Sequence, residues 1–490
     1  MKYAIIGTGV AGIAAIEAIR TVSPSPSGFE GGQASKFTAK NAKNAKKELK
    51  PGVLSGLRGS INQTEDQLRL SLKSDGRGQG EGGAEIVMIG DDPHGFYSRP
   101  GLAYYLTGEL HDRALYSRTS DEYRKMNFRY VKGRVKNVLR EAHVLELEDK
   151  ASIPYDRLLI ATGAQALPLE APGANLEGVL KLDHMDDAKR ILKHARRGKT
   201  AVVVGGGITA LELTEGLLAR GMRVHYLLRG DRYWGSVLDE RESKIVEARL
   251  QVEGVTLHHH AELVEVLGKK NRVIGARLLD GKIIKCDLLA YAIGIRPRLE
   301  LAKQAGLAVE RGILVNEYLQ TDDPHIFAAG DVAQVYDPAI GRSVLDSLWG
   351  PARQQGYAAG LNMAGRTTAY VKAPPFNVTR LSGLTTTIIG TVGSGHDEDV
   401  VGIARGDSET WRSLPDALVV QGGFDVNHVR LLVGEKRALG AVVMGDQKLS
   451  YPLQKIVSEG IDISSIREKL LAPDARIGDV VVEFWAGLRN

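Results

Sequence analysis

The sequence predicts an α/β protein built on two strand–glycine–helix units, followed by a separate α+β region. The first unit is an apolar strand at residues 2–6, the turn Gly7-Thr8-Gly9-Val10-Ala11-Gly12 and an apolar helical pattern. The second is the strand at residues 201–204, the turn Gly205-Gly206-Gly207-Ile208-Thr209-Ala210 and another apolar helix. Beyond about residue 370 the pattern changes to short strand-like runs at 385–389, 417–420, 429–433 and 440–444 and a helix at 452–459. These observations predict two Rossmann-like dinucleotide-binding domains and a C-terminal α+β domain.

Composition is consistent with this organisation. The chain has 490 residues, of which 43% are hydrophobic and 25% charged, as in ordinary globular proteins of roughly three domains. The formal net charge is +5, and most of that excess comes from one Lys-rich stretch at residues 23–83. The remainder is nearly neutral, so we expect no nucleic-acid partner.

Cysteine usage excludes much redox and metal chemistry. Cys286 is the single cysteine in the sequence. An internal disulfide, a four-Cys zinc site, a Cys-ligated iron–sulfur cluster and a Cys-x-x-Cys pair are therefore all impossible within the chain. Three consecutive histidines occur at 258–260, but neighbouring residues of a strand point to opposite faces, so we predict no metal site.

The sequence also argues against insertion into a membrane. Its most apolar helical stretch, residues 200–219, is interrupted by Glu212 and Glu215. The first residues form a strand pattern and lack the features of a signal peptide. We therefore expect a cytoplasmic location.

An unusual segment separates the first unit from its second strand. Residues 23–83 are rich in Ser, Pro, Gly and Lys, which predicts a low-complexity surface insertion with no role of its own or, alternatively, a basic docking arm. Removing it brings Asp91 to about 18 positions after Gly12, close to the roughly 20 expected for the acidic residue that binds a ribose. Asp92 is the alternative for this role.

The first glycine turn has the spacing of a pyrophosphate site. Gly7 permits the tight turn, Gly9 lets the backbone approach a phosphate, and Gly12 lets the helix pack on the strand. The phosphates then lie at the N-terminus of the helix, where the helix dipole favours negative charge.

Segments further along the chain complete a recognisable pattern. An apolar strand leads into Ala161-Thr162-Gly163, another leads into Ala292-Ile293-Gly294-Ile295-Arg296-Pro297, and the string at residues 321–331 ends in Ala-Gly-Asp. Over residues 1–22 and 84 to about 370 the chain resembles the pyridine nucleotide–disulfide oxidoreductase superfamily, the two-dinucleotide-binding-domain flavoproteins. The resemblance implies that FAD is contacted by Gly7, Gly9, Gly12, Asp91, Ala161, Thr162, Gly163, Gly330 and Asp331.

Two more segments are similar to the flavin surroundings of this family. Arg99 belongs to a run that resembles the Arg-Pro-x-Leu segment beside the isoalloxazine, and Trp349 begins a run similar to the helix aimed at the flavin pyrimidine. Relatives often have lysine where this chain has Tyr104, which leaves a lysine contact to flavin N5 in doubt. Pro100 stands where oxidase and disulfide reductase relatives have their redox cysteine, so the resemblance implies no catalytic residue beyond the flavin.

The second unit resembles the nicotinamide nucleotide site of the family. The implied contacts are Gly205, Gly207, Ala210, Glu212, Arg229 and Gly294. Arg229 is at the ribose-reading position, about 19 residues after Ala210, and an arginine there accommodates the 2′-phosphate of NADPH. NADPH is thus slightly favoured, although Asp231 nearby could serve NADH.

The chain is most similar to the cysteine-less rubredoxin or ferredoxin reductase and nitrite reductase flavoprotein branch. This implies an FAD-dependent NAD(P)H oxidoreductase that passes electrons to a small iron–sulfur or rubredoxin-like protein or a reductase subunit. The alternatives are an NAD(P)H oxidase or quinone reductase and a flavin-bound redox-sensing scaffold; a homo-oligomer is possible. We expect an FAD-binding domain at 1–165 and 292–370, an NAD(P)-binding domain at 166–291 and the α+β domain at 371–490.

Overall fold

The computed structural model describes residues 1–23, 83–338, 340–392, 427–472 and 475–488. Except for its two end residues, the expected insertion at 23–83 lies outside these ranges, as does a strand expected at 417–420.

The described strands and helices are numbered in chain order. The strands are β1 (Lys2–Ile6), β2 (Glu85–Gly90), β3 (Arg129–Lys132), β4 (Val135–Leu139), β5 (Val144–Leu147), β6 (Ser152–Pro154), β7 (Arg157–Ile160), β8 (Ala164–Ala166), β9 (Val179–Lys181), β10 (Thr200–Val204), β11 (Arg223–Leu227), β12 (Thr256–His258), β13 (Leu263–Lys269), β14 (Arg272–Leu278), β15 (Ile283–Lys285), β16 (Leu288–Tyr291), β17 (Ile295–Pro297), β18 (Ile313–Leu314), β19 (Ile326–Ala328), β20 (Ala333–Asp337), β21 (Arg342–Leu345), β22 (Phe376–Leu381), β23 (Leu384–Gly390), β24 (His428–Val433) and β25 (Ala438–Met444). The α-helices are α1 (Val10–Val22), α2 (Gly101–Thr107), α3 (Ser120–Met126), α4 (Met185–His194), α5 (Ile208–Ala219), α6 (Glu240–Val252), α7 (Glu300–Gln304), α8 (Trp349–Met363), α9 (Ser450–Ser458), α10 (Arg467–Leu471) and α11 (Ile477–Gly487).

The first strand–glycine–helix unit forms a parallel sheet in the order β19-β7-β1-β2-β3. The central strand β1 is buried from Tyr3 onward, and its Ile5 lies between Met88 of β2 and Leu159 of β7. Helices α1 and α8 pack tightly on each other beside this sheet: a Cβ on Gly356 would lie 2.1 Å from the carbonyl oxygen of Ala11. Glycine at position 356 is therefore a packing requirement.

The second unit forms another parallel sheet, in the order β12-β11-β10-β16-β9. Val203 of the central strand is opposite Tyr226 and Ala290, and all three are fully buried. The chain passes between the two units twice, at β8 and β17, which pair with each other as antiparallel strands. The predicted fold class, two Rossmann-like units with an α+β region, is confirmed.

The described residues of the α+β region include a four-stranded antiparallel sheet in the order β22-β23-β25-β24. One face packs on the second unit and on helix α2, through Leu384, Ile388 and Met444. Helices α9, α10 and α11 contribute to a separate core with the opposite face. Among the helices of the described ranges, none is long and apolar enough to cross a membrane.

A buried ion-pair network joins this region to the second unit. Glu242 of α6 is completely buried and accepts hydrogen bonds from Arg430 Nε and Nη2, both at 2.9 Å, and from His428 Nε2 at 3.2 Å. Burial alone would raise the pKa of Glu242, but the hydrogen bonds from His428 and Arg430 lower it. Asp239, Glu242 and His428 lie close enough together to form a metal site. However, Arg430 already hydrogen-bonds both carboxylate oxygens of Glu242, so we assign these residues to the ion-pair network.

Replacing Arg430 by Met should weaken the attachment of the α+β region. The change leaves the Glu242 carboxylate buried without its main partner, at a cost of about 3–5 kcal/mol. Urea unfolding should show this loss for Arg430→Met, and Glu242→Gln in the same background should recover part of it. The exposed Arg476→Met is the control. Equal stability of the two arginine variants would contradict the role assigned to Arg430.

Candidate functional site

A cavity of about 590 Å³ lies at the carboxyl ends of strands β1, β2, β7 and β19. This is the edge of a parallel α/β sheet where ligands characteristically bind. Of the residues that the sequence assigned to FAD, those that line the cavity are Gly7, Gly9, Asp91, Arg99, Ala161, Thr162, Gly163, Gly330, Asp331 and Trp349. Pro100 lines it as well.

Gly12 does not line the cavity and has a packing position instead. A Cβ at this residue would lie 2.5 Å from the carbonyl oxygen of Gly7 and 3.2 Å from side-chain atoms of Ile5 and Met88. The residue lets α1 approach the sheet, which is the role expected for the third glycine of the turn.

Gly7 brings two strands together at the bottom of the cavity. Its φ is +118°, a conformation that glycine adopts without strain, and a Cβ there would lie 2.1 Å from the carbonyl oxygen of Ala161. Its amide donates to Ile89 O at 2.8 Å, and Ala161 N donates to Ile6 O at 2.8 Å. In contrast, a Cβ on Gly9 would meet nothing within 4 Å, because this residue faces the cavity.

Two helix N-termini reach the cavity wall. Helix α1 follows Gly9 and α8 follows Leu348, and neither preceding residue has a side chain that caps the helix. Both first turns lack acidic residues, while Val10, Ala11, Trp349 and Ala352 line the cavity. Uncapped amide groups and the positive end of the helix dipole favour an anionic ligand.

Arg298 is a cavity residue that sequence reasoning missed. Its backbone is held by Gly163, whose carbonyl accepts from Arg298 N at 3.0 Å, and by Thr162, whose hydroxyl donates to Arg298 O at 3.3 Å. Its Nε is buried and has no hydrogen-bond partner among the described residues. A guanidinium with an unpaired donor in this cavity suits a phosphate. The signal that could have identified Arg298 in the sequence is its position directly after the 292–297 segment, where the chain passes back to the first unit.

Asp91 has a partner that the sequence did not indicate. Arg134 donates to Asp91 Oδ2 from Nε at 3.0 Å and from Nη2 at 2.8 Å. Arg134, Lys136 and Glu148 line the cavity, as Asp91 does. Arg134 therefore orients the carboxylate and adds positive charge beside it.

Arg99 lies between the two units. It lines the cavity together with Asp183, and its Nη1 is 3.8 Å from Asp183 Oδ1. Asp183 is buried and also accepts from Ala166 N at 3.1 Å and from Lys181 Nζ at 3.4 Å. The arginine side chain is thus held beside the cavity by a carboxylate from the second unit.

The residues assigned to the nicotinamide nucleotide do not line this cavity. Gly205 and Gly207 follow β10, Ala210 and Glu212 lie in α5, Arg229 follows β11 and Gly294 precedes β17. Their positions surround the carboxyl end of the second sheet. Arg229 is exposed, whereas Asp231 is paired with Arg232, whose Nη1 is 3.0 Å from Asp231 Oδ2.

Tyr104 contacts the α+β region. The guanidinium carbon of Arg380, in β22, lies 4.9 Å from the centre of the Tyr104 ring. Arg380 also makes a two-point ion pair with Glu109, with Nη1 2.8 Å from Oε2 and Nη2 2.5 Å from Oε1. The residue that replaces the lysine of relatives is therefore covered by a cation from another part of the chain.

The only thiol lies away from the cavity. Cys286 is buried between β15 and β16 and is not among the cavity residues. Burial raises the pKa of its thiol to about 12, and the neighbouring Asp287 adds to the shift. A thiol protonated at neutral pH is a poor nucleophile and a poor redox relay.

The model of one protein family matches most of the region that forms the two units. Residues 76–356 match the family described as pyridine nucleotide-disulphide oxidoreductase. The chain belongs to this family. This confirms the predicted family and establishes the chain as a member of a group of oxidoreductases.

Named relatives point to the same group. The chain is 28% identical over 382 residues to nitrite reductase [NAD(P)H] of Bacillus subtilis (strain 168), a match that covers 78% of this chain and 44% of the relative. It is 30% identical over 309 residues to rubredoxin-NAD(+) reductase of Pseudomonas putida, with 63% and 80% of the two chains covered. The chain thus spans about half the length of the nitrite reductase that it matches.

A solved structure has the same fold. The covalent complex of putidaredoxin reductase with putidaredoxin superposes with a TM-score of 0.72 at 20% identity, and the match covers 98% of each chain.

Two glycine variants should separate folding from ligand binding at this cavity. Gly7→Ala places a methyl group against the Ala161 carbonyl at a positive φ, and we expect it to lower the free energy of unfolding by about 1–3 kcal/mol or more. Gly9→Ala should leave the stability of the apoprotein unchanged but weaken FAD binding, because its methyl group enters the cavity. Urea unfolding and fluorescence titration measure the two effects. Unchanged FAD affinity in Gly9→Ala would contradict the assignment of the turn.

Proposed function

We propose that the chain is an FAD-dependent NAD(P)H oxidoreductase that passes electrons to a protein carrier or partner subunit. The observation that carries the proposal is one cavity in which the glycine turn, two uncapped helix N-termini, Asp331 and Pro100 meet. The proposed domains are an FAD-binding domain at 1–165 and 292–370, an NAD(P)-binding domain at 166–291 and an α+β domain at 371–490.

The residues present fit FAD. Gly9, the first turn of α1 and the unpaired Nε of Arg298 would hold the pyrophosphate, and Asp91 would accept from the ribose hydroxyls. Asp331, three residues after the end of β19, would accept from hydroxyl groups of the ribityl chain. The N-terminus of α8 at Trp349 would stabilise negative charge at the pyrimidine end of the ring.

The nicotinamide nucleotide would bind at the second glycine turn. The N-terminus of α5, after Gly205 and Gly207, is the pyrophosphate position, and the crossing strands β8 and β17 join this unit to the cavity. When bound, FAD would supply the redox chemistry, because a flavin can accept a hydride and release its two electrons one at a time. The protein holds the two nucleotides in reacting positions and excludes water from them.

Direct transfer from the cavity to an external acceptor follows from the position of the thiol. Pro100 lines the cavity where a redox cysteine would stand, and Cys286 is buried elsewhere with a raised pKa. The matched relatives include a rubredoxin-NAD(+) reductase, so we propose a rubredoxin-like or iron–sulfur carrier, or a reductase subunit, as the acceptor.

The first test is the cofactor and its reduction. We expect the purified protein to bind one FAD per chain and NAD(P)H to bleach it anaerobically, with ferricyanide as a one-electron acceptor. Asp331→Ala should weaken FAD retention at least tenfold, since a charged hydrogen bond contributes about 1.5–3 kcal/mol. The exposed Asp149→Ala is the control. Failure to bind added FAD would end the proposal.

A second test concerns nucleotide preference, for which we propose NADPH over NADH. Arg229 is exposed at the ribose-reading position, and Asp231 is already paired with Arg232. Arg229→Glu should shift the ratio of kcat/KM values at least tenfold towards NADH, because it replaces a phosphate partner with a ribose acceptor. Arg241→Glu, an equal charge change on the exposed side of α6, should leave the ratio unchanged. An unaltered ratio in Arg229→Glu would show that this residue does not contact the ribose.

A further inference from the structure

A buried charged cluster lies directly behind the cavity wall. Asp346 is the residue before Ser347, which lines the cavity. Lys372 Nζ is 3.0 Å from Asp337 Oδ2 and 3.9 Å from Asp346 Oδ2. Asp346, Lys372 and Asp337 have only 6%, 9% and 9% of their surface exposed. We name these three residues the Asp346 cluster.

One cation faces two carboxylates in this cluster. Lys372 lies within hydrogen-bond distance of Asp337 but not of Asp346, whose Oδ2 is buried with no hydrogen-bond partner among the described residues. A buried carboxylate with incomplete compensation is costly, and protonation removes that cost. Asp346 is therefore placed to exchange a proton.

The cluster is electrostatically connected to the cavity. Burial raises the pKa of Asp346 to about 6; Lys372 opposes this shift, and the negative charges of Asp331 and Asp337 add to it. Asp331 lines the cavity, so negative charge there already acts on Asp346. Tyr370 also faces Asp346, but burial raises the pKa of its phenol to about 12, so it remains neutral.

We propose that Asp346 takes up a proton from solvent when hydride transfer adds negative charge to the cofactor in the cavity. This rests on the proposed function. The hydride brings two electrons and one proton to the cofactor and leaves NAD(P)⁺, while the Asp346 carboxylate and one solvent proton form a carboxylic acid. When both electrons have left for the carrier, this proton and the proton that the cofactor received with the hydride both return to solvent.

The segments that carry the cluster also have solvent-exposed residues. Lys372 follows Val371, which is 71% exposed, and Asp337 follows the exposed Tyr336. The ion pair between Lys372 and Asp337 therefore links the surroundings of Asp346 to segments that carry solvent-exposed residues.

The direction in which reduction shifts the pKa of Asp346 determines the pH range of the test. Asp346 is mainly ionised above pH 6 before reduction, and added negative charge in the cavity raises its pKa. Between the two pKa values, reduction by two electrons is accompanied by up to one more proton than the cofactor alone takes up. Well below pH 6 the carboxyl is protonated in both states and the additional uptake disappears.

The experiment is a dye-equilibrated reductive titration of the FAD-loaded protein at a series of pH values. The slope of the reduction potential against pH gives the protons taken up per two electrons. We expect Asp346→Asn to take up fewer protons than the unsubstituted protein, by up to one per two electrons, in the range just above pH 6, with FAD affinity retained. Equal slopes in these two proteins would overturn the proposal.

Two further variants distinguish proton uptake from a structural effect. Asp337→Asn keeps the titrating group and removes a neighbouring negative charge, so the additional uptake should persist and begin at lower pH. Lys372→Gln removes the opposing cation, so the uptake should begin at higher pH. If the pH at which the additional proton uptake begins is unchanged in these variants, the proposal is contradicted even if Asp346→Asn does not fold.

The titration needs no NAD(P)H, so two failures can be told apart. Absence of FAD binding would refute the proposed function, whereas a normal titration with equal slopes would refute only the role of Asp346.

Discussion

The cavity exists because two parallel strands end side by side with no side chain between their backbones. Gly7 and the Ala161 carbonyl oxygen meet at a distance that any Cβ would prevent. This contact places the N-terminus of α1 and the loop after β7 on the same side of the sheet. Gly356 has the same role between two helices, because its lack of a Cβ lets α8 pack against the backbone of α1. Both helix N-termini therefore point to one place, and their dipoles make that place favourable for anions.

Charge compensation between distant segments explains how the three parts of the chain are held together. Arg430 in the α+β region hydrogen-bonds both oxygens of the buried Glu242, and Arg380 makes a two-point pair with Glu109 beside the Tyr104 ring. Glu242 is completely buried and would tolerate loss of its partner poorly, so its pair with Arg430 helps to specify which surfaces meet, whereas Glu109 is exposed. Helix α2 packs against both the second unit and the α+β sheet. This helix directly follows Arg99 and Pro100, so the packing also positions these two cavity residues.

Sequence reasoning found the residues that belong to local patterns. The glycine turns, the Ala-Thr-Gly segment and the Gly330-Asp331 pair each combine a strand end with small residues, and such strings are recognisable without coordinates. Arg298 and Arg134 were missed because neither belongs to such a string. Each acquires its importance from a neighbour more than 40 residues away in the chain, Gly163 or Asp91. The Asp346 cluster was missed for the same reason, since Lys372 and Asp337 come from different segments.

The amino-acid sequence by itself determined the two parallel units, their glycine turns, the α+β region and the absence of any cysteine at the position of Pro100. These follow from local periodicity, from the steric demands of turns and from residue identity. Only the tertiary structure decided which charged groups from distant segments pair with each other: Arg134 with Asp91 at the cavity, Arg430 with the buried Glu242, and Lys372 with two buried carboxylates. The physical reason is that desolvation and charge pairing depend on distances across the fold, and no local pattern encodes those distances.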